Sequence, residues 1–272
     1  MPLLPHERDE ISGTLLDIAR EAAALVLTGW RRAPAVEHKG SINLVTQHDR
    51  ASEELLRARF KELLPGFDVV AEERGGEASG TRPVLYADPL DGTTNFAHGH
   101  PHFCVSLALA DGDVVLAAAV VAPALAIEYR ASLGGGAWRD DGRCEVSATA
   151  RLIDALLATG FGYDAHTRDD NNLREFAALT RRSRGVRRCG SAALDLCAVA
   201  DGTYDGYWEP RLQPWDVAAG SLLVREAGGV LSDLAGGPFD PRRGDVVATN
   251  GRLHEALLQA LRELRGTPFV TP

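Results

Sequence analysis

Paired cysteines, membrane-length apolar runs and an excess of positive charge are all missing from this sequence. Its four cysteines, Cys104, Cys144, Cys189 and Cys197, are scattered without a C-x-x-C pair. They read as small buried or half-buried residues of a reducing compartment. The longest apolar stretch, residues 114–127, contains Pro123. It is too short to span a bilayer, so no membrane partner is expected, and it reads as core strands instead. The opening MPLLPHERDE has no charged segment followed by an apolar one, so no secretory signal is visible and a cytoplasmic location is expected. Basic residues number 29 against 38 acidic ones, a net charge of −9. That balance disfavours nucleic acid as a general partner. Internal repeats, low-complexity tracts and linkers are absent too.

What is present is a core-forming composition, 45% apolar and 25% charged, in a chain of 272 residues. That length suits one large domain or two closely joined lobes. Residues 7–32 carry Ile11, Leu15, Ile18, Ala22, Leu25 and Val26 at helical spacing, and residues 49–63 give a second amphipathic helix. The stretch 33–47 between them reads as a loop. FDVVAEE (67–73) reads as a strand ending on two glutamates. Residues 105–121, reversing at Asp111-Gly112-Asp113, read as two strands of an antiparallel meander continued by IEYRAS and GAWRDD. In the second half LIDALLATGF, GVRRCG, TYDGYWE and VVATN read as strands. Helices are expected over 173–182, from the N-cap Ser191 through Ala200, from Pro214 to the Gly228-Gly229 pair, and over 252–264. Ala218, Ala219, Gly220 and Ser221 imply close helix packing. Helices and strands do not alternate strictly, which argues against a Rossmann or TIM arrangement.

The most informative segment is 84–96, VLYADPLDGTTNF, where Asp88 and Asp91 stand three residues apart after the run Val84-Leu85-Tyr86. Strand ends are where open α/β sheets carry ligands. Pro89 fixes a torsion that lets the two carboxylates converge. Gly92 permits a sharp turn, and Thr93 and Thr94 suit the first positions of a helix, whose N–H groups attract an anion. By itself the segment is equally an Asp-rich turn capping a helix. Further acids stand out by location: Glu72 or Glu73 at one strand end, and Asp216 at the start of a late helix. Oxygen-only ligands suit Mg²⁺, which keeps waters and shares its shell with substrate phosphate. Histidine and cysteine are missing from these positions, so zinc is disfavoured there. Taken singly, Asp216 is also a helix-dipole carboxylate and Glu72 a solvated strand end.

In their order along the chain, AEE at 71–73, DPLDGTTNF at 88–96, GSAALDL at 190–196 and PWDVAAGSLLVREAGG at 214–229 resemble the inositol monophosphatase family, most of all its bacterial members. The resemblance runs from Lys39 to the final helix. It implies an α+β fold, the layered α/β/α/β/α sandwich of the inositol monophosphatase and fructose-1,6-bisphosphatase superfamily. An N-terminal lobe over residues 1–150 would carry most metal ligands. A C-terminal lobe over 151–272 would carry the substrate pocket and the last ligand, in one compact unit. A homodimer, inhibition by Li⁺ and two to three Mg²⁺ ions per site are implied as well.

Carried over residue by residue, the resemblance makes Glu72, Asp88, Asp91, Asp216 and the backbone carbonyl of Leu90 the metal ligands. Gly92 and Thr93 would bind phosphate through backbone N–H groups, and Asp49 with Thr93 would orient the attacking water. Lys39 is similar to the family's mobile lysine near the metals. Gly190, Ser191 and Ala192 fall where the family contacts substrate, beside Asp91 and Asp216. Glu209 falls where a hydroxyl of the inositol ring is held, although Pro210 and Arg211 after it suggest a different local backbone. The catalytic group is then Glu72, Asp49, Asp91 and Thr93. The implied reaction is hydrolysis of inositol 1-phosphate to myo-inositol and phosphate by a metal-activated water, without a covalent intermediate. Relatives of the same fold act on histidinol phosphate, fructose 1,6-bisphosphate or 3′-phosphoadenosine 5′-phosphate, and some bacterial ones act with the transcription machinery, so these stand as alternatives.

Other features are set aside. His98, His100 and His102 alternate in AHGHPHF, but Gly99 and Pro101 interrupt any strand and a fourth ligand is not evident. Arg187-Arg188 reads as an anion contact, a solvated strand end or a dimer contact. Trp208 and Trp215 read as packing residues, and Arg181-Arg182-Ser183-Arg184 as a helix end favouring positive charge.

Overall fold

The computed structural model describes residues 3–32, 36–38 and 44–265. The chain opens with α1 (Pro5–Gly29), a short antiparallel pair β1 (Val36–His38) and β2 (Leu44–Thr46), and α2 (Gln47–Leu63). It continues with β3 (Asp68–Ala71), β4 (Val84–Asp91), α3 (Thr93–Ala97), β5 (Cys104–Asp111), β6 (Val114–Ala122), β7 (Ile127–Ser132), β8 (Gly136–Arg139) and β9 (Gly142–Arg143). The second half holds β10 (Leu156–Thr159), α4 (Leu173–Arg182), β11 (Gly185–Arg187), α5 (Ala192–Ala200), β12 (Gly206–Glu209), α6 (Pro214–Glu226), β13 (Val230–Ser232), β14 (Val246–Thr249) and α7 (His254–Arg265).

Strands β3 to β9 form a seven-stranded sheet in sequence order, antiparallel except for the β3–β4 pair. The other sheet has the order β11-β10-β12-β14-β13, with parallel pairs on either side of β10 and antiparallel pairs on either side of β14. Helices α1 and α2 cover one face of the larger sheet. Helices α5 and α6 lie between its opposite face and the smaller sheet, whose outer face carries α4 and α7. This is the five-layered α+β sandwich expected from the family resemblance.

Alternation along each strand explains the layers. In β5 and β6, Val105, Leu107, Leu109, Ala117, Ala119 and Val121 pack toward α1 and α2. Their neighbours Cys104, Ala108, Ala118 and Val120 pack toward α5 and α6. Because both faces are covered, these strands read as continuous apolar runs instead of an apolar–polar alternation. The smaller sheet repeats the arrangement, with Leu157, Trp208 and Val247 facing α7 residues such as Leu257 and Leu261.

Several boundaries differ from the sequence reading. The stretch 33–47 carries the β1–β2 pair instead of being wholly a loop, while Lys39 lies outside the described residues. The LIDALLATGF strand is shorter than expected, because Leu152–Asp154 is a 3₁₀ turn closed by the Ala155 N–H on the Leu152 carbonyl. TYDGYWE pairs only from Gly206, since the N–H groups of Tyr204 and Asp205 turn to the carbonyls of Ala198 and Leu156. β13 has only three residues after the Gly228-Gly229 pair, too few to show a pattern. Among the described residues, none of the helices is long and apolar enough to cross a membrane.

The small-residue stretch in α6 has the role its composition suggests. A Cβ at Gly220 would stand 2.4 Å from Leu196 Cβ on α5, an atom that no side-chain rotation can move away. In an ordinary helix interior, Gly→Ala stabilises by about 1 kcal/mol. Here overpacking of about 1–3 kcal/mol opposes it. Gly220→Ala is therefore expected to destabilise by up to about 2 kcal/mol, read as a lower urea midpoint at unchanged slope. A raised midpoint would contradict the packing argument.

Candidate active site

β4 delivers the two aspartates of the DPLDGTT segment. Against β5, Asp88 pairs with Ser106 and Asp91 with Cys104, so three steps on one strand face two on the other. Residues three apart in a regular strand point to opposite faces. The irregularity brings Asp88 and Asp91 to the wall of one cavity. Pro89, with no N–H to give a ladder, sits in the irregular stretch, and its carbonyl accepts from Ser52 Oγ at 2.9 Å. The strand thus runs on to Asp91 instead of ending at Asp88. The Leu90 N–H donates to Asp88 Oδ1 at 2.9 Å, and the Leu90 side chain is buried with Val26, Phe96 and Phe103.

The turn after Asp91 accepts only glycine. Gly92 has φ 91°, and a Cβ there would stand 2.9 Å from the His102 carbonyl oxygen. Thr93 follows as the first residue of α3. Its hydroxyl donates toward Asp49 Oδ1 at 3.0 Å and lies 3.1 Å from the Leu90 carbonyl. Asp49 is fully buried on the first turn of α2, where its Oδ2 accepts from the N–H of Thr46 at 2.8 Å and from the Thr46 hydroxyl at 2.6 Å. This reciprocal cap fixes the carboxylate, while burial pushes its pKa above the usual range against those three hydrogen bonds.

Of the two glutamates after β3, Glu72 lines the cavity and Glu73 does not. A residue not singled out by the sequence holds this turn. Glu53 of α2 is fully buried and accepts from the Glu73 N–H at 2.8 Å and the Arg74 N–H at 3.2 Å. It also pairs with Arg57 Nε at 2.7 Å, and the i, i+4 spacing of the two in α2 was its only visible signal. Asp216 enters from α6, where Pro214 opens the helix and Asp216 Oδ2 caps the Gln213 N–H at 2.7 Å.

The second half supplies the other walls. Ser191 caps α5 by accepting from the Leu194 N–H, and its hydroxyl donates to Asp91 Oδ2 at 2.7 Å. The Ala193 N–H donates to the same oxygen at 2.8 Å. Gly190, Ser191 and Ala192 line the cavity, as does Glu209 at the end of β12. Glu209 accepts from the Tyr207 hydroxyl at 2.5 Å, and burial pushes its pKa up to about 8. Gly160, Phe161, Tyr163 and Arg211 are cavity residues that the sequence reading did not assign, and Arg188, for which an anion contact was one reading, lines the cavity too. Gly160 leaves room for Glu209, since a Cβ there would stand 2.0 Å from Glu209 Oε2. Arg211 adopts φ 61°, and its Nη1 reaches Asp170 at 3.3 Å. Trp208 is core, donating from Nε1 to Asn172 Oδ1 at 2.7 Å, and Trp215 packs against the core while also lining the cavity.

The cavity measures about 560 Å³, within the usual range for a small-molecule site. Its electrostatics call for a cation. Burial first, and then the charges of Glu72, Asp91 and Asp216, push Asp88 well above the usual carboxylate range. Burial, followed by Asp91 among the charges, does the same to Asp216. Asp91 is pushed up to about 6 by burial, held there by its hydrogen bonds to Ser191 and Ala193. Such repulsion is relieved when a positive ion sits among the oxygens. The donors are all oxygen, the set that hard divalent ions take. Among the described residues, the one trio of possible ligand residues whose ligand atoms all lie within 4.8 Å of one another is His102, Cys189 and Asp195, at the edge of this cavity.

Residues 7–265 match the sequence model of the Inositol monophosphatase family. The chain belongs to that family. It is 43% identical over 254 residues to the inositol-1-monophosphatase of Synechocystis sp., covering 91% of this chain and 88% of that one. It is 40% identical over 254 residues to the Nus factor SuhB of Pseudomonas aeruginosa, covering 91% and 94%. The solved inositol monophosphatase of Anabaena (Nostoc) sp. superposes with a TM-score of 0.86 at 37% identity over 94% of this chain and 96% of that one. Family members are generally metal-dependent, in keeping with the acidic cavity.

Glu53 offers a test of how the Glu72 turn is held. Glu53→Ala strips Arg57 and two backbone N–H groups of their buried partner. A loss of about 1–3 kcal/mol is expected in urea unfolding. A change below about 0.5 kcal/mol would show that the turn is held by other means.

Proposed function

We propose that this chain is a Mg²⁺-dependent phosphate monoester hydrolase that converts inositol 1-phosphate to myo-inositol and phosphate by attack of water. The observation that carries this reading is the composition of one cavity. Glu72, Asp88, Asp91 and Asp216 give it an acidic wall, the hydrogen-bonded pair Asp49 and Thr93 adjoins that wall, and Glu209 offers a polar group for a hydroxylated alcohol. Glu72, Asp88, Asp91, Asp216 and the carbonyl of Leu90 are the groups to hold two to three Mg²⁺ ions. When bound, Mg²⁺ supplies charge to the phosphate dianion and lowers the pKa of a water.

The chain's own groups do the rest. The Thr93 hydroxyl directs its proton toward Asp49 Oδ1, which leaves a lone pair to accept from the attacking water. Asp49, fixed by Thr46, keeps that orientation. The backbone N–H groups of Gly92 and Thr93 donate to phosphate oxygens. Glu209 holds a ring hydroxyl, with Gly190, Ser191 and Ala192 forming the seat beside it. A serine nucleophile finds no support: Ser191 Oγ already donates to Asp91 and accepts from the Leu194 N–H. Cys104 is fully buried, and that burial pushes its thiol well above the usual range, so a reactive thiolate is disfavoured. The same reading carries cytoplasmic work as a homodimer and inhibition by Li⁺, tested by light scattering and by Li⁺ titration of the reaction.

The primary test is phosphate release, with and without Mg²⁺, from inositol 1-phosphate, histidinol phosphate, fructose 1,6-bisphosphate and 3′-phosphoadenosine 5′-phosphate. Inositol 1-phosphate is expected to have the highest kcat/KM. A higher value for another substrate overturns the alcohol assignment and leaves the reaction class standing. Absence of Mg²⁺-dependent release from all four overturns both. Asp91→Asn is expected to lower kcat by about 100-fold or more. Thr93→Val should lower kcat strongly while KM changes little, the pattern of a group that acts in the transition state. A raised KM with kcat unchanged would remove Thr93 from the water-orienting role. The relative named Nus factor SuhB motivates a second reading, a non-catalytic role with the transcription machinery. Rescue of a deletion phenotype by Asp91→Asn would favour that role, and failure of rescue would favour the hydrolase.

A further inference from the structure

A second cluster, with different chemistry, adjoins the acidic cavity. His102 before β5, Cys189 after β11 and Asp195 in the first turn of α5 bring one ligand atom each within 4.8 Å of one another. Sequence reading set His102 aside because the surrounding AHGHPHF segment offered no further ligand. The fold supplies two from residues far along the chain. His102 Nε2 and Asp195 Oδ1 stand 3.7 Å apart, beyond hydrogen-bond reach. Both atoms are buried and have no hydrogen-bond partner, and Asp195 is only 1% exposed. A buried polar atom left in this way costs about 1–3 kcal/mol, more when charged, so it calls for an explanation.

A cation between these atoms would provide one. Around a tetrahedral Zn²⁺, with nitrogen and oxygen at about 2.0–2.2 Å and sulfur at about 2.3 Å, ligand atoms stand roughly 3.3–3.7 Å apart. The His102–Asp195 gap already has that separation, and the remaining distances exceed it by about 1 Å at most. Imidazole and thiolate select Zn²⁺ or a similar borderline ion over Mg²⁺. An outer partner is in place as well, with Tyr204 Oη 3.4 Å from Cys189 Sγ.

We propose that His102 Nε2, Cys189 Sγ and Asp195 Oδ1 form a binding site for Zn²⁺ or a chemically similar divalent ion, distinct from the carboxylate wall. Asp195 also lines the cavity, so the ion sits at its edge. Two of the three segments are already joined by one side chain: Asn95 Nδ2 donates to the carbonyls of His102 at 2.7 Å and Cys189 at 2.8 Å. A bound ion adds a second bond across that junction and ties it to α5, the helix that holds Asp91. Stability is therefore expected to rise with Zn²⁺ by mass action.

The test uses the full-length protein saturated with Mg²⁺, so that hard-oxygen sites are occupied. Calorimetric titration with Zn²⁺ is expected to give one further equivalent. Co²⁺ in its place should develop thiolate-to-metal charge-transfer absorption. Cys189 is the half-buried member of four free thiols, the other three being buried, and its alkylation by iodoacetamide should slow at least tenfold with Zn²⁺ and not with added Mg²⁺. Cys189→Ser and His102→Gln should each weaken Zn²⁺ binding by at least the roughly 10–100-fold that loss of an outer partner produces, while Mg²⁺-dependent phosphate release continues. The proposal is overturned if Zn²⁺ does not bind the Mg²⁺-saturated protein, if it leaves Cys189 alkylation unchanged, or if both folded variants bind it as the parent does. Should a variant fail to fold, the parent's cobalt spectrum and alkylation rate decide the matter.

Discussion

Two donors at the N-terminal end of α5 grip one oxygen of Asp91, and the site is organised around that grip. Asp91 closes β4 of the larger sheet, whereas α5 lies between the sheets, so the contact joins two layers at the cavity wall. The Ser191 hydroxyl, the Ala193 N–H and the Cys104 thiol all fall on Oδ2. Hydrogen bonds to an ionised carboxylate at a helix N-terminus are stronger than neutral ones, and the helix dipole adds to them. They oppose the burial that would otherwise favour the neutral acid. With these contacts gathered on Oδ2, Oδ1 has no hydrogen bond among the described residues.

The other acids are arranged with less local compensation. Asp88 has one backbone N–H, from Leu90, and Asp216 has one, from Gln213. Burial, with the neighbouring charges, pushes both above the usual carboxylate range. A divalent ion bound among them would oppose that shift, so ion binding and folding stability would share one free energy. The same logic explains why the acids come from three separate elements: each is anchored by its own cap or turn before the charges meet.

Much of this was legible in the sequence, but unevenly. The DPLDGTT turn, the Ser191 cap and the Pro214 helix start are local patterns whose residues lie within a few positions of their partners, and they appeared where expected. The order of layers came from family resemblance, because strands covered on both faces lose the alternation that marks a face. Glu53 was not legible, since what it holds is the turn twenty residues on. The cluster of His102, Cys189 and Asp195 was invisible for the same reason, with nearly ninety residues between its first two members. β13 and the 3₁₀ turn at Leu152–Asp154 are too short to show a period.

Gly160 gives the substrate end of the cavity an unusual point of control. Glu209 stands over a residue with no side chain, and even a single methyl there would occupy the space of its carboxylate. The group that would recognise the alcohol is therefore positioned by an absence of atoms just past the end of the neighbouring strand β10. A lineage could change which alcohol is accepted by altering residue 160 while leaving Glu209, and the phosphate-handling wall, untouched. Selectivity in such a design can drift through its floor, at a cavity residue that has no side chain of its own.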